Sequence, residues 1–139
     1  MHHVPYPART PIDPAFLEAL SERFRFECHQ SEGVRRQRGQ SEAHFPETLP
    51  DAVVFARTTQ DVADCVRLCA QFGMPVVPFG AGTSLEGHAL PIRGGVSIDM
   101  SKMDRVVAVN AEDFDCTVEA GVRREELNAH LRDTGLFFP

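Results

Sequence analysis

Three glycines lie within eight residues of one another, and their spacing is typical of a loop that binds an anion. Gly80, Gly82 and Gly87 alternate with small and hydroxyl-bearing residues. Glycine lets the backbone take a positive φ and lets a ligand approach the main chain closely. Successive N–H groups in such a loop form a concave site for an anion, usually a phosphate. The segment therefore predicts a loop that holds a phosphate or a pyrophosphate; the alternative is a glycine-rich hairpin without a ligand.

The glycine spacing fits neither of two well-known phosphate-binding loops. A G-x-G-x-x-G loop needs its third glycine two positions before Gly87, and the residues that follow, with Pro91, Gly94 and Gly95, make a poor helix. A G-x-x-x-x-G-K-[ST] loop needs a lysine where His88 stands, so nucleotide hydrolysis is not expected. The remaining interpretation is a pyrophosphate-binding loop that leads into another strand.

Length and charge exclude several functions. The 139 residues are enough for one domain with a hydrophobic core, and the net charge of −6 gives nucleic-acid binding no electrostatic support. No apolar run approaches the roughly 18 residues of a membrane helix. The first seven residues contain no apolar signal segment, so secretion is not expected.

Cysteines and histidines show no metal-binding spacing. Cys65 and Cys69 lie four residues apart on a predicted helix, which favours buried free thiols, and cysteine usage fits a reducing cytoplasm. The histidines are scattered, which favours solvated or structural roles over metal ligation. Arg35, Arg36 and Arg38 predict a solvated basic loop, with phosphate contact as the alternative.

The elements that must position the glycine loop alternate between helix and strand. Asp13 and Pro14 mark the start of a helix through Phe24, and Thr58 or Thr59 caps a second helix that ends at Gly73. Residues 1–12 predict an extended or mobile arm, and residues 30–50 show no periodic pattern. The remaining predicted elements are strands 52–56, 74–79, 95–100, 105–109 and 116–120, a helix 124–133, and a strand that begins at 136. This order predicts a mixed α+β fold that is not doubly wound.

Residues 48–139 resemble the first part of the FAD-binding domain of FAD-linked oxidases, the PCMH-type or vanillyl-alcohol-oxidase superfamily. Within it the chain is similar to the branch of D-lactate dehydrogenases (cytochrome) and glycolate oxidase FAD subunits. The matching blocks, in order, are 50–54, 75–87, 94–99, 103–106, 112–114, 118–122 and 127–139. The resemblance implies a small β-α-β subdomain followed by a mixed or antiparallel sheet with flanking helices. Residues 1–47 would be an N-terminal arm and helix.

The resemblance implies that the glycine loop holds the FAD pyrophosphate. The backbone N–H groups expected to bind it belong to Gly80, Ala81, Gly82, Thr83 and Ser84. The hydroxyls of Thr83 and Ser84 are further donors, Gly87 permits close approach, and His88 follows at the exit of the loop. Pro78 and Phe79 would lie beside the adenosine part. Some members of the superfamily attach the flavin through a histidine in this loop; Thr83 holds that place here, so the FAD is expected to be non-covalent.

The resemblance also implies an activity for the whole enzyme, the oxidation of a D-2-hydroxy acid of the D-lactate or glycolate type. The chain stops at Pro139, just after a predicted strand begins, which predicts a truncated domain that is inactive alone. No residue stands out as a general base; Glu86 is expected to structure the loop. The expected compartment is the cytoplasm, with the full-length enzyme peripheral to the inner membrane as an alternative. Exposed apolar surface around residues 136–138 predicts self-association.

Two other functions remain open on the sequence alone. One is a non-enzymatic module that binds a flavin or dinucleotide and is completed by another chain. The other is a domain whose ligand site has decayed, which predicts that no dinucleotide binds.

Overall fold

The computed structural model describes residues 6–42 and 44–139 and has a mixed α+β architecture. The helices are α1 (Pro14–Phe24), α2 (Glu32–Gln37), α3 (Thr59–Gln71) and α4 (Arg124–Leu131), with short 3-10 turns at Arg25–Glu27 and Arg132–Thr134. The strands are β1 (Cys28–His29), β2 (Ala52–Phe55), β3 (Val76–Phe79), β4 (Val96–Asp99), β5 (Val106–Asn110) and β6 (Asp115–Val118). The predicted α+β class is confirmed.

Two sheets organise these elements. The larger sheet has the strand order β1-β2-β4-β3, with β4 parallel to both β2 and β3 and β1 antiparallel at one edge. Strands β5 and β6 form a separate antiparallel pair with a bulge between Val106 and Ala108. Pro78 lies in β3, an edge strand, where a residue without an N–H group is tolerated.

The core lies between the larger sheet and helices α1 and α3. Residues i and i+2 of a strand face the same side, so Val54 of β2 and Ile98 of β4 point to these helices and are buried. Phe16 and Leu20 come from α1 in the same core, since an i, i+4 pair shares one helix face. The predicted burial of Cys65 and Cys69 is confirmed: both are free and buried in this core.

Local capping signals fix where the first and third helices begin. The Asp13 carboxylate accepts a hydrogen bond from the Ala15 N–H at 2.9 Å, directly before Pro14. The Thr58 hydroxyl accepts from the Asp61 N–H at 3.1 Å, and the Asp61 carboxylate accepts from the Thr58 N–H at 3.1 Å. These reciprocal bonds satisfy N–H groups that the first helical turn leaves unpaired. Both predicted helix starts are therefore confirmed.

The described part of the N-terminal arm, before Pro14, has neither helix nor strand. The first five residues of the arm fall outside the described residues. From Tyr6 onward the arm is bound to later segments: the Tyr6 hydroxyl donates to the Pro46 carbonyl at 2.8 Å, and the Arg9 guanidinium forms an ion pair with Asp51 at 2.7 Å. The predicted boundary between residues 47 and 48 stays a prediction, although the Arg9–Asp51 ion pair crosses it.

Two predictions of secondary structure are wrong. Arg35 and Arg36 lie in helix α2 and not in a loop; this helix is only six residues long, too short to show a periodic pattern. The expected strand at residues 136–138 is absent, because none of the described strands pairs with it. The Asn128 amide takes the place of a strand neighbour there: Phe138 donates its N–H to Asn128 Oδ1 at 2.7 Å and accepts from Nδ2 at 2.9 Å.

Candidate functional site

The carboxyl ends of three parallel strands meet at one edge of the larger sheet, and the glycine loop leaves from this edge. The pairing register places Phe55, Phe79 and Asp99 side by side at the ends of β2, β3 and β4. The Met100 N–H donates to the Phe79 carbonyl at 2.9 Å, which extends the pairing by one residue. In open α/β sheets, ligands bind at this end of parallel strands. The edge therefore positions the start of the loop, at Gly80, where a ligand is expected.

A buried ion pair lies at the carboxyl ends of these strands. Arg38 donates from Nε and Nη2 to the same Asp99 carboxylate oxygen, at 2.9 and 2.7 Å. The Arg38 side chain is 14% exposed and that of Asp99 is 1% exposed. The guanidinium also lies over the rings of Phe55 and Phe79, at 5.0 and 5.6 Å from their centroids. The predicted solvated position of Arg38 is therefore wrong, since this arginine supports the strand ends beneath the glycine loop.

The three glycines of the loop differ in backbone conformation and in the room that each leaves for a side chain. Gly82 and Gly87 have φ values of 71° and 77°, which L side chains rarely adopt. A Cβ at Gly82 would lie 2.6 Å from the Phe79 ring, and one at Gly87 would lie 2.8 Å from the Phe45 ring. Gly80 has neither constraint: its φ is not positive and a Cβ would meet no atom within 4 Å. Folding explains Gly82 and Gly87, whereas the room at Gly80 remains available to a ligand.

The loop presents a run of unused backbone donors. Within residues 6–42 and 44–139, none of the backbone N–H groups from Gly80 to Ser84 donates a hydrogen bond. Gly80, Ala81 and Thr83 are exposed to solvent, and Gly82 and Ser84 are half-buried. Buried or partly buried N–H groups normally find an acceptor. Gly82 and Ser84 are therefore the two residues whose N–H groups most need an acceptor, and the exposed N–H groups beside them are open to the same ligand. The five donors are available to an anion, so the loop residues fit a pyrophosphate.

Polar side chains organise the second half of the loop. The Ser84 hydroxyl donates to the Glu86 carboxylate and lies 3.4 Å from His88 Nδ1. The bond from Ser84 lowers the pKa of Glu86, as does the bond from its own N–H. Glu86 and His88 are both exposed. The arrangement fits the expected role of Glu86 in structuring the loop and leaves Ser84 Oγ engaged within it.

A cleft separates the first half of the loop from the turn that follows β6. Its volume is about 600 Å³. The loop side is formed by Gly80, Ala81 and Thr83, and the opposite side by residues 120–125. Ser101, after β4, lines an adjoining part of the cleft together with Gly121 and Arg123. Two other chain segments, at Ser101 and at residues 120–126, thus converge on the loop.

The predicted site residues do not all lie in this cleft. Thr83 faces it, whereas Gly87 lies near Phe45. The Phe79 ring is buried beneath Gly82, and Pro78 is exposed on the edge strand.

The opposite side of the cleft was not among the predicted site residues. Gly121 is required there because a Cβ would lie 2.0 Å from the Met100 carbonyl oxygen. Its N–H donates to the Met103 carbonyl at 2.8 Å, which anchors the turn close to the end of β4. A glycine between a strand and a helix was the one available signal in the sequence. It could not reveal that this turn lies opposite the glycine loop.

Metal and membrane sites have no support in the described part of the chain. No three histidine, cysteine, aspartate or glutamate side chains there form a group that could hold a metal ion. None of the helices in residues 6–42 and 44–139 has the length and hydropathy that a membrane-spanning helix requires.

Comparison with protein families and curated proteins gives a consistent result. A family model described as an FAD binding domain matches residues 50–139. A probable mitochondrial D-lactate dehydrogenase from Danio rerio is 46% identical over 76% of this chain and 21% of its own length. The glycolate oxidase subunit GlcD of Bacillus subtilis is 30% identical over 67% of this chain and 20% of its own length. The chain thus spans about a fifth of the length of these relatives.

Solved structures support the fold. The structure of p-cresol methylhydroxylase with substrate bound superposes with a TM-score of 0.79 at 20% identity. It covers 93% of this chain and 27% of the larger one. The resemblance read from the glycine loop and its flanking blocks is confirmed.

Proposed function

Because the chain belongs to the family of FAD-binding domains, we propose that its glycine loop holds the pyrophosphate of FAD. The single observation that supports this placement is the run of five N–H groups without acceptors, from Gly80 to Ser84, beside the open space at Gly80. Successive N–H groups without acceptors favour an anion as the ligand. The glycines allow that anion to approach the backbone. The Thr83 hydroxyl supplies a further donor, and the Ser84 hydroxyl, which donates to Glu86 in this structure, supplies one when it exchanges that bond for a phosphate oxygen.

The other predicted residues contribute at the margins of the site. Gly87 permits the turn that brings the loop back, and His88 lies at its exit beside Ser84. Pro78 and Phe79 lie on the side where the adenosine part would rest. The Phe79 ring also supports Gly82 from below, so its main contribution is to hold the loop in shape.

We further propose that the FAD is bound without a covalent bond. Thr83 stands where some relatives of this superfamily carry the histidine that attaches the flavin. A threonine hydroxyl is a poor nucleophile without an adjacent base. Among the described residues, no side chain forms a hydrogen bond with the Thr83 hydroxyl.

The activity proposed for the whole protein is oxidation of a D-2-hydroxy acid of the D-lactate or glycolate type. A bound flavin supplies the hydride-accepting chemistry, whereas the protein binds and orients it. This chain covers only about a fifth of its relatives, and its share of the work is to hold the dinucleotide. We expect the 139-residue chain to show no dehydrogenase activity alone, and dye reduction with D-lactate and glycolate tests this.

For the compartment, we propose the cytoplasm, with the full-length enzyme peripheral to the inner membrane as the alternative. The four free cysteines support a reducing environment. Fractionation of cells that express the protein, followed by immunoblotting, tests the assignment.

A titration with FAD, ADP and AMP tests the central proposal. We expect saturable FAD binding, followed by calorimetry or flavin fluorescence, and ADP binding much tighter than AMP binding. The second phosphate accounts for the difference because it completes the anion that the loop donors surround. Equal affinity for ADP and AMP, or no binding of FAD, would contradict the proposal.

A further inference from the structure

The loop that is proposed to bind a diphosphate contains no positive charge of its own. Residues 78–88 include no lysine or arginine, and Glu86 adds a negative charge. Backbone N–H groups bring only partial charges, and charge-assisted hydrogen bonds to an anion are about twice as strong as neutral ones. A cation from another segment would therefore strengthen binding substantially.

The turn across the cleft carries two arginines with different partners. Arg123 donates from Nε and Nη2 to one carboxylate oxygen of Glu126, at 2.9 and 2.6 Å. This bond to Glu126 raises the pKa of Arg123. Arg124 lines the same cleft and is exposed, and in the described ranges its side chain has neither an ion pair nor a hydrogen bond. Its guanidinium is thus the unengaged cation opposite the glycine loop.

The backbone fixes the turn that carries Arg124. Gly121 is bonded to Met103 and packed against the Met100 carbonyl, and the Val122 N–H donates to the Glu119 carbonyl at 3.2 Å. Met100 is itself bonded to Phe79, the residue directly before the glycine loop. The two sides of the cleft are therefore connected through a short series of backbone contacts, which holds their separation.

We propose that Arg124 is a cofactor-binding residue that contacts the diphosphate of FAD from the side opposite the glycine loop. This inference rests on the proposed function of that loop. The planar guanidinium offers two parallel donors that match the geometry of phosphate oxygens. Glu125 lines the same side of the cleft and opposes anion binding, so it provides a second test of opposite sign.

The experiment compares FAD affinity among charge variants of the 139-residue chain. Arg124→Gln is expected to raise the Kd for FAD about tenfold, the effect of one charge-assisted contact. Glu125→Gln is expected to lower the Kd about two- to threefold, because it removes a repulsive charge. Arg132→Gln is the matched control: Arg132 is exposed, lies outside the cleft and forms no side-chain bond in the structure as described. Its Kd should stay within twofold of wild type.

Titration with ADP locates the contact. The loss caused by Arg124→Gln should be of similar size for ADP, since both ligands carry the diphosphate. Salt should reduce the difference between wild type and Arg124→Gln, because screening weakens an exposed charge contact. Arg124→Lys should recover part of the affinity and guards against a glutamine variant that fails to fold.

The outcomes separate the two proposals. If wild type binds FAD but Arg124→Gln and Arg132→Gln bind it equally well, only the role of Arg124 is overturned. A loss seen with FAD and not with ADP would also overturn it, because the contact would lie outside the diphosphate. If wild type binds neither FAD nor ADP, the proposed function of the loop fails, and this inference fails with it.

Discussion

Arg38 and Asp99 are 61 residues apart in the chain, and both guanidinium bonds of the pair end on one carboxylate oxygen. The other oxygen, Oδ1, accepts from the Ser101 N–H at 2.8 Å. The carboxylate is therefore fully engaged although it is buried. This pair attaches the segment after α2 to the sheet edge from which the glycine loop leaves.

Arg38→Gln should destabilise the fold by about 3 kcal/mol, because it leaves the Asp99 charge buried without its partner. Urea unfolding followed by circular dichroism measures the effect. Arg36→Gln is the control, since Arg36 is half-exposed and each of its pairs, with Glu32 and with Glu47, is worth only about 0.5 kcal/mol. Equal unfolding midpoints for the two variants would show that the buried pair contributes nothing special.

Two glycine variants should separate folding from binding. Gly82→Ala forces a side chain into positive φ and into the Phe79 ring, so unfolding free energy should fall by about 1–3 kcal/mol. Gly80→Ala should leave stability within about 0.5 kcal/mol of wild type. It should nevertheless raise the Kd for FAD about tenfold, because its methyl group occupies space meant for the ligand.

Thermal unfolding and FAD titration of both variants give the answer. If Gly80→Ala binds FAD as tightly as wild type, the open space at Gly80 is not part of the ligand site.

The FAD should leave the protein on acid precipitation. We expect all yellow colour in the supernatant and, in denaturing mass spectrometry, a protein mass without the flavin. The physical reason is the absence of a nucleophilic histidine at position 83. Flavin that sediments with the protein would show a covalent bond, and Thr83→Ala would then test whether this residue forms it.

Stability should decrease at low pH through Asp64, which joins helices α1 and α3. Its bond from Arg23, and then those from Arg67 and Gln60, lower the pKa of Asp64 from 3.8 to about 2. A carboxylate whose pKa is lower in the folded state stabilises the fold above the unfolded value. That contribution is lost as pH falls from about 4 to 2.

Melting temperatures between pH 2 and 6 test this linkage. Asp64→Asn should melt lower than wild type near neutral pH, and the difference should vanish near pH 2. Glu18→Gln, on the exposed side of α1, should follow the wild-type curve throughout. A constant difference between Asp64→Asn and wild type across the range would exclude titration of Asp64 as the cause.

The isolated chain should self-associate through an apolar surface near its C-terminal end. Phe114 and Phe137 are 80% and 77% exposed and line one shallow cavity beside the β5–β6 pair. Burial of such surface against a second copy of the chain removes it from water. Sedimentation velocity should show association that rises with concentration and weakens in Phe137→Ser. Phe26→Ser is the control, because Phe26 is 91% exposed but lies elsewhere.

Features that depend on neighbouring residues, such as helix starts, could be predicted from the sequence. Asp13 before Pro14, and Thr58 three residues before Asp61, specify helix starts through contacts within one turn. The glycine loop could be predicted because its glycine spacing is a local pattern, whereas the packing of Phe45 against Gly87 could not.

Contacts between residues far apart in the chain could not be predicted from the sequence. Nothing local distinguishes Arg38, which is buried against Asp99, from Arg36, which is half-exposed two positions earlier. The two-residue strand β1 exists only because β2 lies beside it. The position of Arg124 opposite the glycine loop likewise follows from how the turn packs on β4. An apolar run such as residues 136–138 becomes a strand only when a partner strand is present.

The strand order β1-β2-β4-β3 determines when this site can form. The two strands that flank α3 are not neighbours, because β4 is inserted between them. Until β4 leaves the ribosome and docks, β3 has no strand to pair with and the glycine loop has no support. The last strand of the sheet to be synthesised is therefore the one on which the proposed ligand site depends. Pairing that must wait for a distant segment slows folding. A nascent chain that ends before β4 would contain the whole glycine loop but not the strand that supports it.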